Sequence, residues 1–403
     1  MNYLARNSTS LRMILEKAQG SWLWDVSGKK YLDAFSSYSS ANFGHQNTLL
    51  YQHLIRQSTK VSVFSRTLTS DILLSLCEVV YENFHPFIVG NQLRVIPMNS
   101  GVEAGETAVK FARKWGYLSK GVAHGQAKVL FAKNNYWGKT IAAISTSDYD
   151  YHHYFYPTTP GFCKVEYDDA DAMKKALDED PSIVAVYLEP VQGEGGINVP
   201  AGDYFKKVRE VCTAKNVLLI ADEIQTGMGR TGGMLCLEDY GIQADMILLG
   251  KSLGGGYLPI SMCIARKDVA DLVNPGEHSS TFGGYPLGCA MAKASIELLK
   301  QSGLGEVARQ REKLFQKELT LLQKRFPQLI QEIRGKGMLF GIQLDKSVDA
   351  LQACHRLTDH GLVTREANRN VVRVCPPLTA SDAELEYMFT RLDQGIKDIA
   401  TCL

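Results

Sequence analysis

Four stretches of this chain are apolar without alternating, and each runs into a polar residue. Residues 217–222 read VLLIAD and stop at Asp222; residues 246–251 read MILLGK and stop at Lys251. Lys128–Ala132 leads to Asn134, Asn135 and Tyr136, and Ile183–Leu188 leads to Glu189-Pro190. A strand that does not alternate is buried on both faces, the condition of a parallel sheet sandwiched between helices. Helical patterns at 103–114, 170–177 and 204–215 separate these runs, and a further short strand, Leu93–Met98, ends at Asn99-Ser100-Gly101. The spacing predicts an α/β fold with a mostly parallel sheet. Ligands of such sheets bind outside the carboxyl ends of the strands, which here carry Ser100, Tyr136, Glu189, Asp222 and Lys251.

The flanks read differently. Residues 21–42 contain a hairpin with a Ser27-Gly28 turn and then an irregular polar stretch, and residues 46–85 carry helical periodicity. Long helices are expected at 287–301 and 304–326. After them come a strand at 337–344, a helix at 348–360, a strand at Val371–Val374 and a last helix opened by a Ser381/Glu384 capping box. With 403 residues, the chain is long enough for a large domain and a satellite. Net charge +1 gives no argument for nucleic acid or an anionic membrane as partner, and no apolar run approaches the roughly 20 residues of a membrane span. Nine scattered cysteines without a CxxC fit reduced thiols in a cytoplasmic protein. The nine histidines show no ligand spacing, so no metal is expected.

An acid and a lysine that end neighbouring strands can face each other across one pocket. A buried carboxylate holds a protonated ring nitrogen and a lysine condenses with an aldehyde, and pyridoxal phosphate requires both. Taken alone, the pair also fits two strands that end where they reach solvent. Ser100-Gly101-Val102-Glu103 follows a strand and opens a helix, where backbone N–H groups attract phosphate; an ordinary strand-to-helix turn is its other reading. Glycines 254–256 free space beside Lys251 for a flat ring, Ser280-Thr281 adds hydroxyls, and Tyr136-Trp137 supplies an aromatic face. Residues 227–232 formally match GxGxxG. Four residues separate that match from the strand and no helix pattern follows it, so it reads as a mobile loop rather than a dinucleotide site.

In order along the chain, Ser-Gly-x-Glu-Ala, aromatic-Trp-Gly, Glu-Pro-x-Gln-Gly-Glu, Ala-Asp-Glu-Ile-Gln-Thr-Gly, Gly-Lys and Ser-Thr-x-Gly-Gly resemble the class III (omega) aminotransferases, and within them the ornithine branch. The resemblance runs from about residue 15 onward. It implies the pyridoxal-phosphate-dependent transferase fold type I, with a large domain at 46–288, a smaller α+β domain at 289–403, and residues 1–45 packing with the smaller one. It assigns Lys251 to the cofactor aldehyde and the proton transfer, Asp222 to the pyridinium nitrogen, Gln225 to the ring hydroxyl and Tyr136, with Trp137, to the ring face. Ser100, Gly101 and Val102 would hold the phosphate together with Thr281 of a second copy, which requires a homodimer; Glu189 joins the cofactor set. Glu194 and Arg373 would form a switch: paired while an ω-amine reacts, parted when Arg373 takes the α-carboxylate of glutamate or 2-oxoglutarate. The implied reaction moves the terminal amine of L-ornithine to 2-oxoglutarate, giving glutamate semialdehyde and glutamate.

The chain departs from that branch at the donor's own carboxylate. The family's tyrosine there aligns with Ser8 and its arginine with Lys139, while Tyr38 is kept. An ammonium is a point charge, without the orienting fork of a guanidinium. A different donor therefore stays open: a diamine, an N-acylated ornithine or an intermediate of specialised metabolism. A non-catalytic relative that binds the cofactor as a regulator is the other alternative, and intact Lys251, Asp222, Glu194 and Arg373 argue against it.

Overall fold

In the computed structural model, which describes residues 3, 5, 11, 13–64, 67–149 and 152–401, the apolar runs become the middle of one seven-stranded sheet. Its strands are β4 (Leu93–Met98), β5 (Lys128–Ala132), β6 (Phe162–Val165), β7 (Ile183–Leu188), β8 (Leu218–Asp222), β9 (Met246–Leu249) and β10 (Ser261–Arg266), in the order β4-β10-β9-β8-β7-β5-β6. Strands β6, β5, β7, β8 and β9 pair in parallel, and β10 lies antiparallel between β9 and β4. All strands but β10 thus end at the same edge.

The lack of alternation in the sequence has a direct cause. Leu130, Val186, Leu219 and Ile247 point into one core, whereas Val129, Ala185, Ile220 and Leu248 point into another on the opposite face. Helix Gly101–Trp115 covers the second face through Ala104, Ala108 and Ala112, all fully buried. Such small side chains let it approach the sheet closely. Its start is secured by the capping box of Ser100 and Glu103.

Three strands precede the large sheet: β1 (Leu15–Gln19), β2 (Trp22–Asp25) and β3 (Lys30–Asp33). Three more, β11 (Ile330–Lys336), β12 (Leu339–Leu344) and, after the two-residue β13 (Leu362–Val363), β14 (Val371–Val374), belong to the C-terminal part. Strands β11, β12 and β14 form an antiparallel sheet, while β13 joins β3 in parallel and extends the N-terminal hairpin. Helices Leu304–Arg325, Ala350–Asp359 and Asp382–Thr401 bury their apolar faces against these strands. The capping box at Ser381 is present, with Glu384 N–H on Ser381 Oγ and Ser381 N–H on Glu384 Oε2.

Several expectations change. Strands β1, β6, β10, β11 and β13 are not among the expected elements. Helix Pro286–Ser302 runs straight through residue 289, and Cys289, Met291 and Ile296 join the core of the large sheet, so the helix packs with the larger part. Residues 227–232 are no mobile loop: 227–231 are buried, and Arg230 is wholly enclosed. Its guanidinium bonds Asn42 Oδ1, Met338 O and Pro376 O, tying the N-terminal segment and the C-terminal part to the loop after β8. Among the described residues, no helix is long and apolar enough to cross a membrane.

Candidate active site

The candidate groups gather at the shared strand edge. Asp222 closes β8 and is buried. Its Oδ2 accepts a 2.6 Å hydrogen bond from the Tyr187 hydroxyl on β7, and its Oδ1 accepts one of 3.0 Å from the Ile224 N–H. Burial raises its pKa despite these donors. Lys251 follows β9 in the left-handed region, at φ 49°. Burial is the largest influence on its ammonium and lowers the pKa to about 8, outweighing the nearby carboxylates of Glu194, Asp222 and Glu189. A buried carboxyl with a raised pKa and a lysine made easier to deprotonate thus end neighbouring strands and act on each other electrostatically.

A second wall comes from the C-terminal part. Arg373 on β14 is fully buried and donates from Nη2 to Glu194 Oε1 at 2.6 Å. Burial alone would lower the guanidinium's pKa; Glu194 and other neighbours offset this and raise it. Arg373 Nε and Nη1 are buried and have no hydrogen-bond partner among the described residues. Glu194 keeps about a fifth of its side chain exposed, and its carbonyl accepts from the Tyr149 hydroxyl at 3.0 Å. The ring of Tyr38 lies 4.8 Å from the Arg373 guanidinium carbon.

A cavity of roughly 350 Å³ reaches from Lys251 to Asn99, Ser100 and Gly101, where the N-terminus of a 15-residue helix can receive an anion. In the loop after β8, the buried Gln225 Nε2 has no hydrogen-bond partner among the described residues. A Cβ on Gly193 would stand 1.5 Å from Gln225 Oε1, so only glycine there leaves the amide its place. A cavity lined by Lys251 and a helix start, with a buried acid at the end of the neighbouring strand and a buried amide donor that has no partner among the described residues, fits a phosphorylated pyridine aldehyde.

The expected residues are not all placed as expected. Trp137 does not face the cavity: it is buried against Phe131 and donates from Nε1 to Thr146 Oγ1 at 2.8 Å. A tryptophan with its N–H satisfied this way serves the core. Glu189 accepts from the N–H groups of Tyr136 (2.9 Å) and Gly193 (3.2 Å), and so joins two site loops. Burial pushes its carboxyl up to about 8. Ser100 gives both its N–H and its hydroxyl to Glu103, which leaves the backbone of Gly101 and Val102 for an anion. Tyr136 is half-buried, whereas Lys139 and Thr281 are exposed. Ser280 accepts from Asn99 Nδ2 at 2.9 Å, which fixes the loop carrying Thr281 beside the helix start. Ser8 lies outside the described residues. Sequence reasoning missed Tyr187 and Tyr149. The signal for Tyr187 was a lone hydroxyl in an otherwise aliphatic buried strand; Tyr149 had none.

Comparison with known proteins agrees with this geometry. The family model for class III aminotransferases matches residues 3–396. The mitochondrial ornithine aminotransferase of Drosophila melanogaster is 42% identical over 95% of this chain and 87% of its own length. The ornithine aminotransferase of Toxoplasma gondii ME49 superposes with a TM-score of 0.95 at 37% identity, covering 100% of this chain and 94% of that one. A second structure of a Toxoplasma gondii ornithine aminotransferase, described with partial occupancy of pyridoxal phosphate at its active site, gives a TM-score of 0.93 at 36% identity, covering 99% and 93%. These likenesses and the site described above make the chain a pyridoxal-phosphate-dependent aminotransferase of fold type I, and it belongs to the class III aminotransferases.

Proposed function

We propose that the chain transfers the terminal amine of L-ornithine to 2-oxoglutarate, releasing glutamate semialdehyde and glutamate. The observation that carries this reading is the Arg373–Glu194 pair beside Lys251, with two buried guanidinium donors unspent. Paired, Arg373 is neutralised and the pocket admits an ω-end that carries no carboxylate. When a substrate brings an α-carboxylate, Glu194, the more exposed partner, can leave, and the guanidinium fork binds the newcomer bidentately. A buried guanidinium stripped of its partner costs about 3–5 kcal/mol, so Arg373 always needs one carboxylate or the other.

Pyridoxal phosphate, when bound, supplies an aldehyde for the amine and a protonated ring that takes up the electrons of a breaking C–H bond. The chain supplies the rest. The Asp222 carboxylate, oriented by Tyr187 and Ile224, would hold the ring nitrogen in its protonated form. Gln225 would donate to the ring hydroxyl. The N–H groups of Gly101 and Val102 would hold the phosphate. Lys251 Nζ, with its lowered pKa, would serve as the base that accepts and returns the substrate's proton.

Thr281 would complete the phosphate site of a second copy. Exposed Leu49, Ile55, Leu74 and Phe282 offer apolar surface for a homodimer. The cytoplasm is the proposed location, consistent with eight cysteines in no disulfide among the described residues. A second reading, with another donor, rests on the exposed Lys139, which stands where the resemblance to the ornithine branch implies an arginine.

The test is the first half-reaction. Holoenzyme is mixed separately with L-ornithine, N-acetylornithine, 4-aminobutyrate, putrescine and lysine, and loss of the cofactor's visible absorbance is followed. Fast loss with ornithine, well ahead of the others, supports the proposal. Fast loss with glutamate and little response to ornithine keeps the reaction class and rejects the donor.

A further inference from the structure

Ser36, Ser37, Tyr38 and Ser39 all lie at positive φ, at 49°, 46°, 59° and 68°. None is glycine, and four successive left-handed residues with side chains are strained. Such strain persists only where the surroundings over-determine it, and it collects at sites of function. Here the surroundings can be named. Asp33 ends β3 with its side chain only 2% exposed. Its Oδ1 accepts from the N–H groups of Phe35 (2.9 Å) and Ser36 (2.7 Å), and its Oδ2 meets His45 Nε2 at 2.8 Å. His45 is itself fixed by a pair of backbone hydrogen bonds to Gly20. Past the turn, the N–H groups of Ser40 and Ala41 return to Ser36 O, and Ser39 Oγ touches Cys375 Sγ at 3.4 Å, two residues from Arg373.

We propose that the Asp33–His45 pair is a positioning device for substrate-carboxylate capture: it clamps the left-handed turn that sets Tyr38 against the Arg373 guanidinium. Relaxation of the turn toward right-handed φ would carry the Tyr38 ring off Arg373 and away from the edge of Phe35, 4.4 Å between centroids. The guanidinium would then lose the face that holds it in register for an incoming carboxylate. Asp33 and His45 touch no reacting atom; they act through Tyr38. The proposal rests on Arg373 being the carboxylate seat.

The test uses holoenzyme turning over with 2-oxoglutarate. His45→Leu should raise the KM for 2-oxoglutarate about tenfold while kcat changes less than about threefold, the sign of lost binding rather than lost chemistry. His45→Gln, which keeps an N–H donor for Asp33, should restore KM to within about twofold. Added to Tyr38→Leu, His45→Leu should contribute nothing further, because both remove the same contact. Should His45→Leu fail to fold, Asp33→Asn, which keeps the acceptor for Phe35 and Ser36, should show the same KM pattern in weaker form. A merely structural pair lowers melting temperature without moving KM and adds fully to Tyr38→Leu, and either result overturns the clamp. Arg373→Ala is measured alongside. An unchanged KM in that variant overturns the seat and the clamp together; a raised KM there with a normal one in His45→Leu overturns the clamp alone.

Discussion

Replacing Tyr187 with phenylalanine isolates one hydroxyl. The ring stays where it is, stacked on Phe131 at 4.8 Å between centroids, so the core is not emptied. What disappears is the 2.6 Å hydrogen bond to Asp222 Oδ2, which leaves that carboxylate the Ile224 N–H alone. A hydrogen bond to a charged group is worth about 1.5–3 kcal/mol. In the cofactor-free protein the loss is mild, because a buried carboxyl can take a proton instead. With the cofactor bound, Asp222 must be ionised to face the pyridinium nitrogen, so the full loss falls on binding. Cofactor affinity should drop about tenfold to a hundredfold, with a smaller fall in the melting temperature of the cofactor-free protein. The assay is a fluorescence titration of cofactor-free enzyme with pyridoxal phosphate, run beside thermal unfolding. A dissociation constant within about twofold of the parent, with the penalty appearing in stability instead, would refute the argument that Tyr187 serves the ionised form.

Three further outcomes follow from the same geometry. Glu194→Ala should leave Arg373 permanently unmasked, so that half-reaction rates shift at least about tenfold toward glutamate relative to ω-amines; an unshifted ratio counts against the switch. Gly193→Ala places a methyl 1.5 Å from Gln225 Oε1, an overpacking of about 1–3 kcal/mol that should weaken cofactor binding roughly tenfold. Normal affinity in that variant would remove Gln225 from the cofactor's contacts. The Glu189 carboxyl, pushed from an ordinary 4.5 to about 8 by burial, binds more protons folded than unfolded. Its contribution to stability is therefore complete below 4.5 and lost as pH rises through about 8. Cofactor-free protein should melt at falling temperatures across that window, and Glu189→Gln should reduce the slope; an equal slope in the variant would contradict it.

What the sequence disclosed was whatever depended on local pattern. β5, β7, β8 and β9 were legible because a strand buried on both faces writes an unbroken apolar run, and a parallel neighbour requires a helix between. β10 was missed for the converse reason. It follows the glycine-rich turn after Lys251 with only a four-residue 3-10 turn at Lys251–Gly254 and no α-helix intervening, and it pairs antiparallel. β6 is four residues at the sheet's edge with a lysine inside, too short and too polar to stand out. The buried loop at 227–232 was misread because glycine confers freedom only on an isolated backbone, and Arg230 finds its three acceptors more than a hundred residues away in sequence. The same blindness hid Trp137. Its neighbours in the motif suggested a cofactor face, and only the packing of Phe131 and Thr146 reveals a core residue.

The two-residue strand β13 has a consequence for how this protein is made. Leu362 pairs with Leu32 and Val363 with Asp33, across nearly the whole length of the chain. On a ribosome adding about 5–20 residues per second, the N-terminal hairpin waits tens of seconds for its last strand. During that wait β3 offers an unpaired edge, the kind of surface that recruits foreign strands. The large sheet is complete once β10 has been made, so the nascent chain carries a finished central layer and an unfinished first one. Chaperone capture during synthesis should therefore concentrate on residues 15–33, although they emerge first.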